Sequence, residues 1–95
     1  MNAAERDIII NMCRDYDASM VGIFGSTARG EASASSDIDL LVRFGKPKSL
    51  LSLVRLERNL SEALGRKVDL LTESAISPYL KDRILNELLV IYGTR

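Results

Sequence analysis

The chain has 95 residues, enough for one domain with a single core, and we treat residues 1–95 as that domain. Lysine and arginine together number 13, as do aspartate and glutamate, so the basic excess typical of a protein that binds nucleic acid broadly is missing. There is no histidine, which excludes Ser–His and Cys–His nucleophile pairs and histidine-rich zinc sites. Cys13 is the one cysteine, so no intrachain disulfide can form. No signal peptide and no run of about 20 apolar residues is present, and we expect a soluble cytoplasmic protein without membrane contact.

The first half of the chain predicts a helix and two strands. Apolar residues recur at helical spacing over residues 3–15, and a short apolar run over residues 19–24 is typical of a buried strand. The small residues of "GSTARGEASASS" predict a loop, with one helical turn near residues 27–29. The segment "DIDLLVRF" then predicts a second strand, closed by Gly45 and Pro47.

The second half predicts two helices around a third strand. Ser49 can cap a helix over residues 50–64, and Gly65 can end it. The segment "RKVDLLT" predicts a short strand, and residues 72–77 a connection. Pro78 suits the first turn of a final helix, which we expect over residues 79–92.

This order predicts an α/β (α+β) fold, a small mixed sheet of about three strands flanked by helices. The first two strands are joined without a helix, so we expect them to be antiparallel neighbours. The second and third are joined through a helix, which indicates a parallel crossover. The end of the first strand and the starts of the other two then lie at one edge of the sheet. That edge carries Gly25 and Ser26, Asp37 and Asp39, and Asp69.

The aspartates at this edge predict a metal site. Side chains alternate along a strand, so Asp37 and Asp39 share a face, and Asp69 alternates with its apolar neighbours. Three carboxylates on one surface repel each other, and a hard cation such as Mg²⁺ relieves that repulsion. Two such ions can bridge the attacking and leaving oxygens of a phosphoryl transfer.

The turn before the aspartates offers groups for a phosphate. Gly25 permits a close approach of the backbone, Ser26 offers a hydroxyl and an N–H, and Arg29 carries a fork-shaped positive charge. Ser36 precedes the aspartate pair and can cap or orient it. Each of these residues alone is usually a turn, a cap or a surface charge. Their order along the chain, converging on one edge, favours a site.

These residues resemble the DNA polymerase β-like nucleotidyltransferase superfamily, and more narrowly its minimal nucleotidyltransferases. Those are the MNT-type antitoxins that pair with HEPN-domain toxins in bacteria and archaea. The motifs that carry the resemblance are Gly25-Ser26 with Ala28-Arg29-Gly30, then Ser36-Asp37-Ile38-Asp39-Leu40, and then Val68-Asp69-Leu70. The motifs follow the family order, and the resemblance spans nearly the whole chain.

The resemblance implies a role for each of these residues. Asp37 and Asp39 would bind the Mg²⁺ that carries ATP, and Asp69 would complete the metal site and help activate the acceptor hydroxyl. Gly25 and Ser26 would hold the β- and γ-phosphates, with Arg29 assisting or supporting the turn and Ser36 in the same nucleotide-binding set. The implied reaction moves AMP from ATP to a hydroxyl, a tyrosine of the partner toxin in this family, and silences the toxin.

Other functions remain open from the sequence. The runner-up is a noncatalytic binding module that masks a toxin by contact alone, although such a module has no need of three adjacent carboxylates. Transfer to a small molecule is a third hypothesis, and the absence of a second lobe weighs against it. Template-directed polymerisation fits least, given the size and the neutral charge.

The predicted last helix suggests a surface for a partner. Leu80, Ile84, Leu88 and Ile91 would form one apolar face, which Leu85, Leu89 and Tyr92 would widen. The chain also stops after this helix, so we expect the acceptor to come from another molecule. Our hypothesis is that part of the stripe docks a partner or a second copy, and the alternative is that the whole stripe is core.

Overall fold

A computed structural model describes residues 1–31 and 37–95 and contains a sheet with helices on both faces. The helices and strands in chain order are α1 (Ala3–Asp15), β1 (Ala18–Phe24), α2 (Gly25–Ala28), β2 (Ile38–Phe44), α3 (Leu50–Leu64), β3 (Val68–Leu71), α4 (Pro78–Glu87) and β4 (Leu89–Gly93). One short 3₁₀ turn, Glu73–Ala75, joins β3 to α4.

The two long helices lie where the sequence predicts them. Helix α1 begins with a capping box, in which the N–H of Glu5 donates to Asn2 Oδ1 at 2.8 Å and the N–H of Asn2 donates to Glu5 Oε1 at 3.2 Å. Helix α3 is capped by Ser49, whose hydroxyl accepts from the N–H of Ser52, and it ends at Gly65 with a φ of 63°. Local capping chemistry thus sets both starts.

The sheet has the strand order β3-β2-β1-β4. Strand β1 is antiparallel to β2, and β2 is parallel to β3, as the sequence order predicts. The mixed α+β class is confirmed, with four strands in place of about three. The antiparallel pair and the parallel crossover together fix which strand ends share an edge.

Alternating residues of the strands feed two apolar clusters, one on each face of the sheet. The first lies under α1 and α3 and includes Ile9, Cys13, Val21, Ile38, Leu40, Leu56 and Leu60. The second is smaller, lies on the α4 face, and consists of Met20, Phe24, Leu41, Ile76 and Ile84. Cys13 is fully buried, and burial raises the pKa of its thiol to about 12.

The prediction of one helix over residues 79–92 is wrong. Helix α4 ends at Glu87, Leu88 is extended, and Leu89–Gly93 pairs with β1 as β4. The run "LLVIY" is apolar at every position, so periodicity alone cannot tell a strand from a helix there. The residues form a strand because the edge of β1 supplies hydrogen-bond partners for their backbone groups. The apolar stripe predicted on one helix is therefore divided between a helix and an edge strand.

Within the described residues, no helix is both long and apolar enough to span a membrane.

Candidate active site

The sheet brings the predicted carboxylates to one edge. Asp39 is the register partner of Asp69 across the parallel β2–β3 pair, and of Phe24 across the antiparallel β1–β2 pair. Asp37 comes directly before β2, two residues from Asp39. Residues 37 and 39 differ by one full pleat, so they share the α4 face of the sheet.

Gly25 lies against Asp39 at the end of β1. Its φ is 73°, and an added Cβ would stand 2.4 Å from Asp39 Oδ2. A side chain at this position would therefore clash with the carboxylate and also strain the backbone. Ser26 follows inside α2, the four-residue helical turn that begins directly after β1. The turn thus starts in contact with the carboxylates.

The electrostatics of this edge make it unfavourable for Asp39 to ionise. Burial raises the pKa of Asp39, and the neighbouring Asp69 and Asp37 raise it further, while Arg29 and Lys67 oppose them. Lys67 Nζ lies 3.8 Å from Asp69 Oδ1 and 4.0 Å from Asp37 Oδ2. One ammonium group therefore lies within 4.0 Å of two of the three carboxylates.

The chemistry of these oxygen atoms fits a magnesium ion. The described residues include no group of three or more carboxylate, thiol or imidazole side chains arranged to hold a metal ion. Mg²⁺ commonly uses only one or two carboxylates, and completes its shell with water and substrate phosphates. Asp39 and Asp37, or Asp39 and Asp69, supply two hard oxygen donors of that kind. The ammonium group of Lys67 carries one positive charge, and it lies at the same edge, where the carboxylates attract positive charge.

Arg29 is held by two carboxylates. Its Nε donates to Glu31 Oε2 at 3.0 Å, and its Nη1 lies 3.3 Å from both carboxylate oxygens of Glu87. These contacts raise the pKa of Arg29, chiefly through the hydrogen bond to Glu31. The guanidinium therefore ties the end of α2 to the end of α4. Of the two roles predicted for it, support of the turn is the one these contacts favour. Ser36, also predicted in the site, lies outside the described residues.

A family model described as a nucleotidyltransferase domain matches residues 6–91 of the chain. The chain belongs to this nucleotidyltransferase family.

The relatives that the nucleotidyltransferase resembles agree with this. A protein of Methanocaldococcus jannaschii named "putative protein adenylyltransferase" is 52% identical over 87 residues, which cover 92% of each chain. Protein adenylyltransferase MntA of Thermococcus cleftensis is 39% identical over 71 residues, which cover 75% of this chain and 72% of that one. A solved toxin–antitoxin structure with AMP-PNP contains a chain of 26% identity and TM-score 0.84, covering 95% of this chain and 74% of that one.

Sequence reasoning missed several polar residues of the nucleotidyltransferase. Lys67 stands two positions before Asp69, and this period-two spacing, which places both on one face, was the available signal. The Thr27 hydroxyl in α2 is buried without a hydrogen-bond partner among the described residues, which no sequence pattern indicates. Glu57 and Ser61 of α3 contact the backbone of β3 beside Asp69.

A pocket of about 380 Å³ lies away from the carboxylates, at the opposite end of β2 and β3. Its lining includes Arg43, Lys46, Lys48, Thr72 and Glu73. Its nearest lining residues, Val42 and Thr72, lie three residues along the chain from Asp39 and Asp69, a rise of about 10 Å. The lining of this pocket includes none of the three aspartates of the acidic edge.

Proposed function

We propose that this nucleotidyltransferase moves AMP from ATP to a hydroxyl group, a tyrosine, of a partner HEPN-type toxin, and thereby acts as its antitoxin. The observation that carries the proposal is the pairing of Asp39 with Asp69, directly beside the turn at Gly25. Two relatives named as protein adenylyltransferases, and a toxin–antitoxin neighbour with a bound ATP analogue, support it.

In this proposal Asp37 and Asp39 would bind Mg²⁺ and Asp69 would complete the metal site. The ion, when bound, would neutralise charge on the triphosphate and on the leaving pyrophosphate. Gly25 and Ser26 bind the β- and γ-phosphates, because the turn can approach them without a side chain in the way. Arg29 holds the turn in place through Glu31 and Glu87. Ser36, from outside the described residues, completes the nucleotide-binding set.

The transfer step follows from the position of Asp69. The acceptor oxygen attacks the α-phosphorus of ATP, so a new P–O bond forms while the bond to the β-phosphate oxygen breaks and pyrophosphate leaves. The Asp69 carboxylate, exposed to 41%, accepts the proton of the acceptor hydroxyl. Lys67 Nζ lies 3.8 Å from Asp69 Oδ1, so its positive charge stands beside the proposed proton acceptor.

The test is transfer of label to a purified HEPN-type toxin. The two proteins are incubated with Mg²⁺ and ATP labelled at the α-phosphate, and the modified residue is located by peptide mass spectrometry. We expect label on one tyrosine with the native chain, and a loss of at least about 100-fold with Asp39→Asn, because the proposal makes the removed carboxylate a ligand of the ion that stabilises the transition state.

The matched control is Asp82→Asn, which removes an exposed aspartate from α4, away from the acidic edge. It should transfer label at the native rate. Equal transfer by the native chain and Asp39→Asn would contradict the proposal. Protection from the toxin without any label would instead favour masking by contact alone.

A further inference from the structure

The outer edge of β3 is closed by two side chains of α3. The N–H of Val68 donates to Ser61 Oγ at 3.0 Å, and the N–H of Leu70 donates to Glu57 Oε2 at 2.8 Å. The Ser61 hydroxyl in turn donates to the backbone carbonyl of Glu57 at 2.9 Å. Among the described residues β3 is the last strand on this side of the sheet, so these N–H groups have no further described strand to bond to.

The spacing of helix and strand makes this arrangement specific. Glu57 and Ser61 are one turn apart on α3, a rise of about 6 Å. Val68 and Leu70 are two residues apart on β3, a rise of about 6.6 Å. The two side chains therefore match alternate N–H groups of the strand, one on each side of Asp69.

The position of Asp69 depends on how strand β3 is held. Asp69 is the register partner of Asp39 across the parallel β2–β3 pair. Strand β3 has only four residues and is bonded to the sheet on one side, through β2. The bonds from Ser61 and Glu57 therefore hold the strand on the side that β2 does not reach.

We infer that Glu57 and Ser61 are positioning residues, which fix the β3 backbone on both sides of Asp69 and so hold its carboxylate beside that of Asp39. This inference rests on the role of Asp69 in the proposed function. A purely structural role, in which α3 only shields an edge strand, makes a different prediction. It requires a loss of stability but no change in how the folded protein binds a divalent cation.

The test measures Mn²⁺ binding by electron paramagnetic resonance in the presence of AMP-PNP, beside AMP transfer with Mg²⁺. For Glu57→Ala we expect the Mn²⁺ dissociation constant to rise by about 10-fold, as is typical when a residue that orients a metal ligand is lost. Glu57→Gln should restore native binding, because its amide oxygen accepts the same hydrogen bond. Glu62→Ala is the matched control, since Glu62 is on the same helix with 70% of its side chain exposed.

Thermal unfolding of each variant shows whether it is folded at the temperature of the titration. If Glu57→Ala does not fold, Ser61→Ala replaces it, because it removes one hydroxyl and the bond to Val68. Native Mn²⁺ affinity in the folded variant would overturn the inference.

The wild-type arm separates this inference from the proposed function. Wild-type protein that binds Mn²⁺ without transferring AMP, with weaker binding in Glu57→Ala, overturns the proposed function and supports the positioning role. Wild-type protein that does not bind Mn²⁺ overturns both.

Discussion

Gly25 lies in close contact with Asp39, and Asp39 lies in a crowded acidic environment. The turn passes so close to the carboxylate that only a glycine fits, and the same carboxylate is partly buried beside two others. The crowded charge lowers stability, and the positive φ restricts the position to glycine. The acidic edge therefore depends on residues whose cost to the fold is offset elsewhere, a common property of functional sites.

Gly25→Ala should damage the site more than the fold. An alanine at a φ of 73° costs about 1–2 kcal/mol, and its Cβ would also displace the Asp39 carboxylate. We expect AMP transfer to fall by at least about 100-fold, as for loss of a group that stabilises the transition state. Urea unfolding and label transfer are the two measurements.

Gly65→Ala is the control for that substitution. Gly65 also has a positive φ, 63°, but a Cβ there would meet nothing within 4 Å. The backbone strain should therefore be similar and the transfer rate unchanged. An equal loss of transfer in both variants would show that the contact with Asp39 has no part in the reaction.

Asp39→Asn should stabilise the protein at neutral pH. Because the folded-state pKa of Asp39 is raised, the folded chain binds its proton more tightly than the unfolded chain does. The resulting stability is fully present below the unfolded pKa of about 3.9, and is lost as the pH rises through the folded pKa. At pH 7 the ionised side chain is therefore unfavourable, and asparagine removes the repulsion by Asp69 and Asp37.

The measurement for this prediction is the melting temperature of both proteins between pH 3 and pH 8. A gain of about 0.5 kcal/mol would raise the melting temperature at pH 7 by about 2–4 °C in a chain of this size. The difference should vanish at pH 3, where both side chains are neutral. A melting temperature of Asp39→Asn below that of the native chain at pH 7 would show that the charge stabilises the fold.

At the scale of elements, local signals determined most of what the sequence could predict. Helix α3 has its bounds at the predicted residues, because Ser49 and Gly65 act within one turn of the helix ends. The convergence of the strand ends followed from strand order and the rules for connections. It predicts that the three aspartates share one edge of the sheet, and the structure pairs Asp39 with Asp69 there.

Long-range partners account for what the sequence could not predict. Residues 89–93 form strand β4 because they pair with the edge of β1. The residues next to position 89 in the sequence do not indicate this pairing. Arg29 and Glu87 are 58 positions apart, so the sequence does not indicate that they pair. The sequence suggested that the Arg29 guanidinium could bind a phosphate, whereas in the structure it connects two helices. The contact of Glu57 with the β3 backbone likewise joins residues that are distant in the sequence, so the sequence does not indicate it.

At the scale of the whole molecule, a net charge of zero conceals a separation of charge. Asp37, Asp39 and Asp69 gather at one edge of the sheet, while Arg43, Lys46 and Lys48 line the pocket at the other end. The lack of a basic excess weighs against broad binding of nucleic acid. It does not describe the local field at the acidic edge, which is negative and suits a divalent cation, as the proposed function requires.

The apolar residues near the end of the chain lie on two different elements in the structure, α4 and β4. On a single helix, Leu85 and Leu89 would share a face. In the structure Leu85 packs against the smaller cluster from α4, whereas Leu89 is in the edge strand β4 with 53% of its surface exposed. The two residues therefore test different things.

Leu85→Lys should unfold the protein or destabilise it by about 2–5 kcal/mol, because it removes a packed side chain and places a charge against an apolar cluster. Leu89→Lys should change the free energy of unfolding by no more than about 0.5 kcal/mol, as for other exposed positions. Urea unfolding of the two variants gives both numbers. Equal destabilisation would mean that the edge of β4 is covered in solution. A stable Leu89→Lys protein is the variant with which the docking hypothesis can be examined, because any loss of partner binding could not then be ascribed to unfolding.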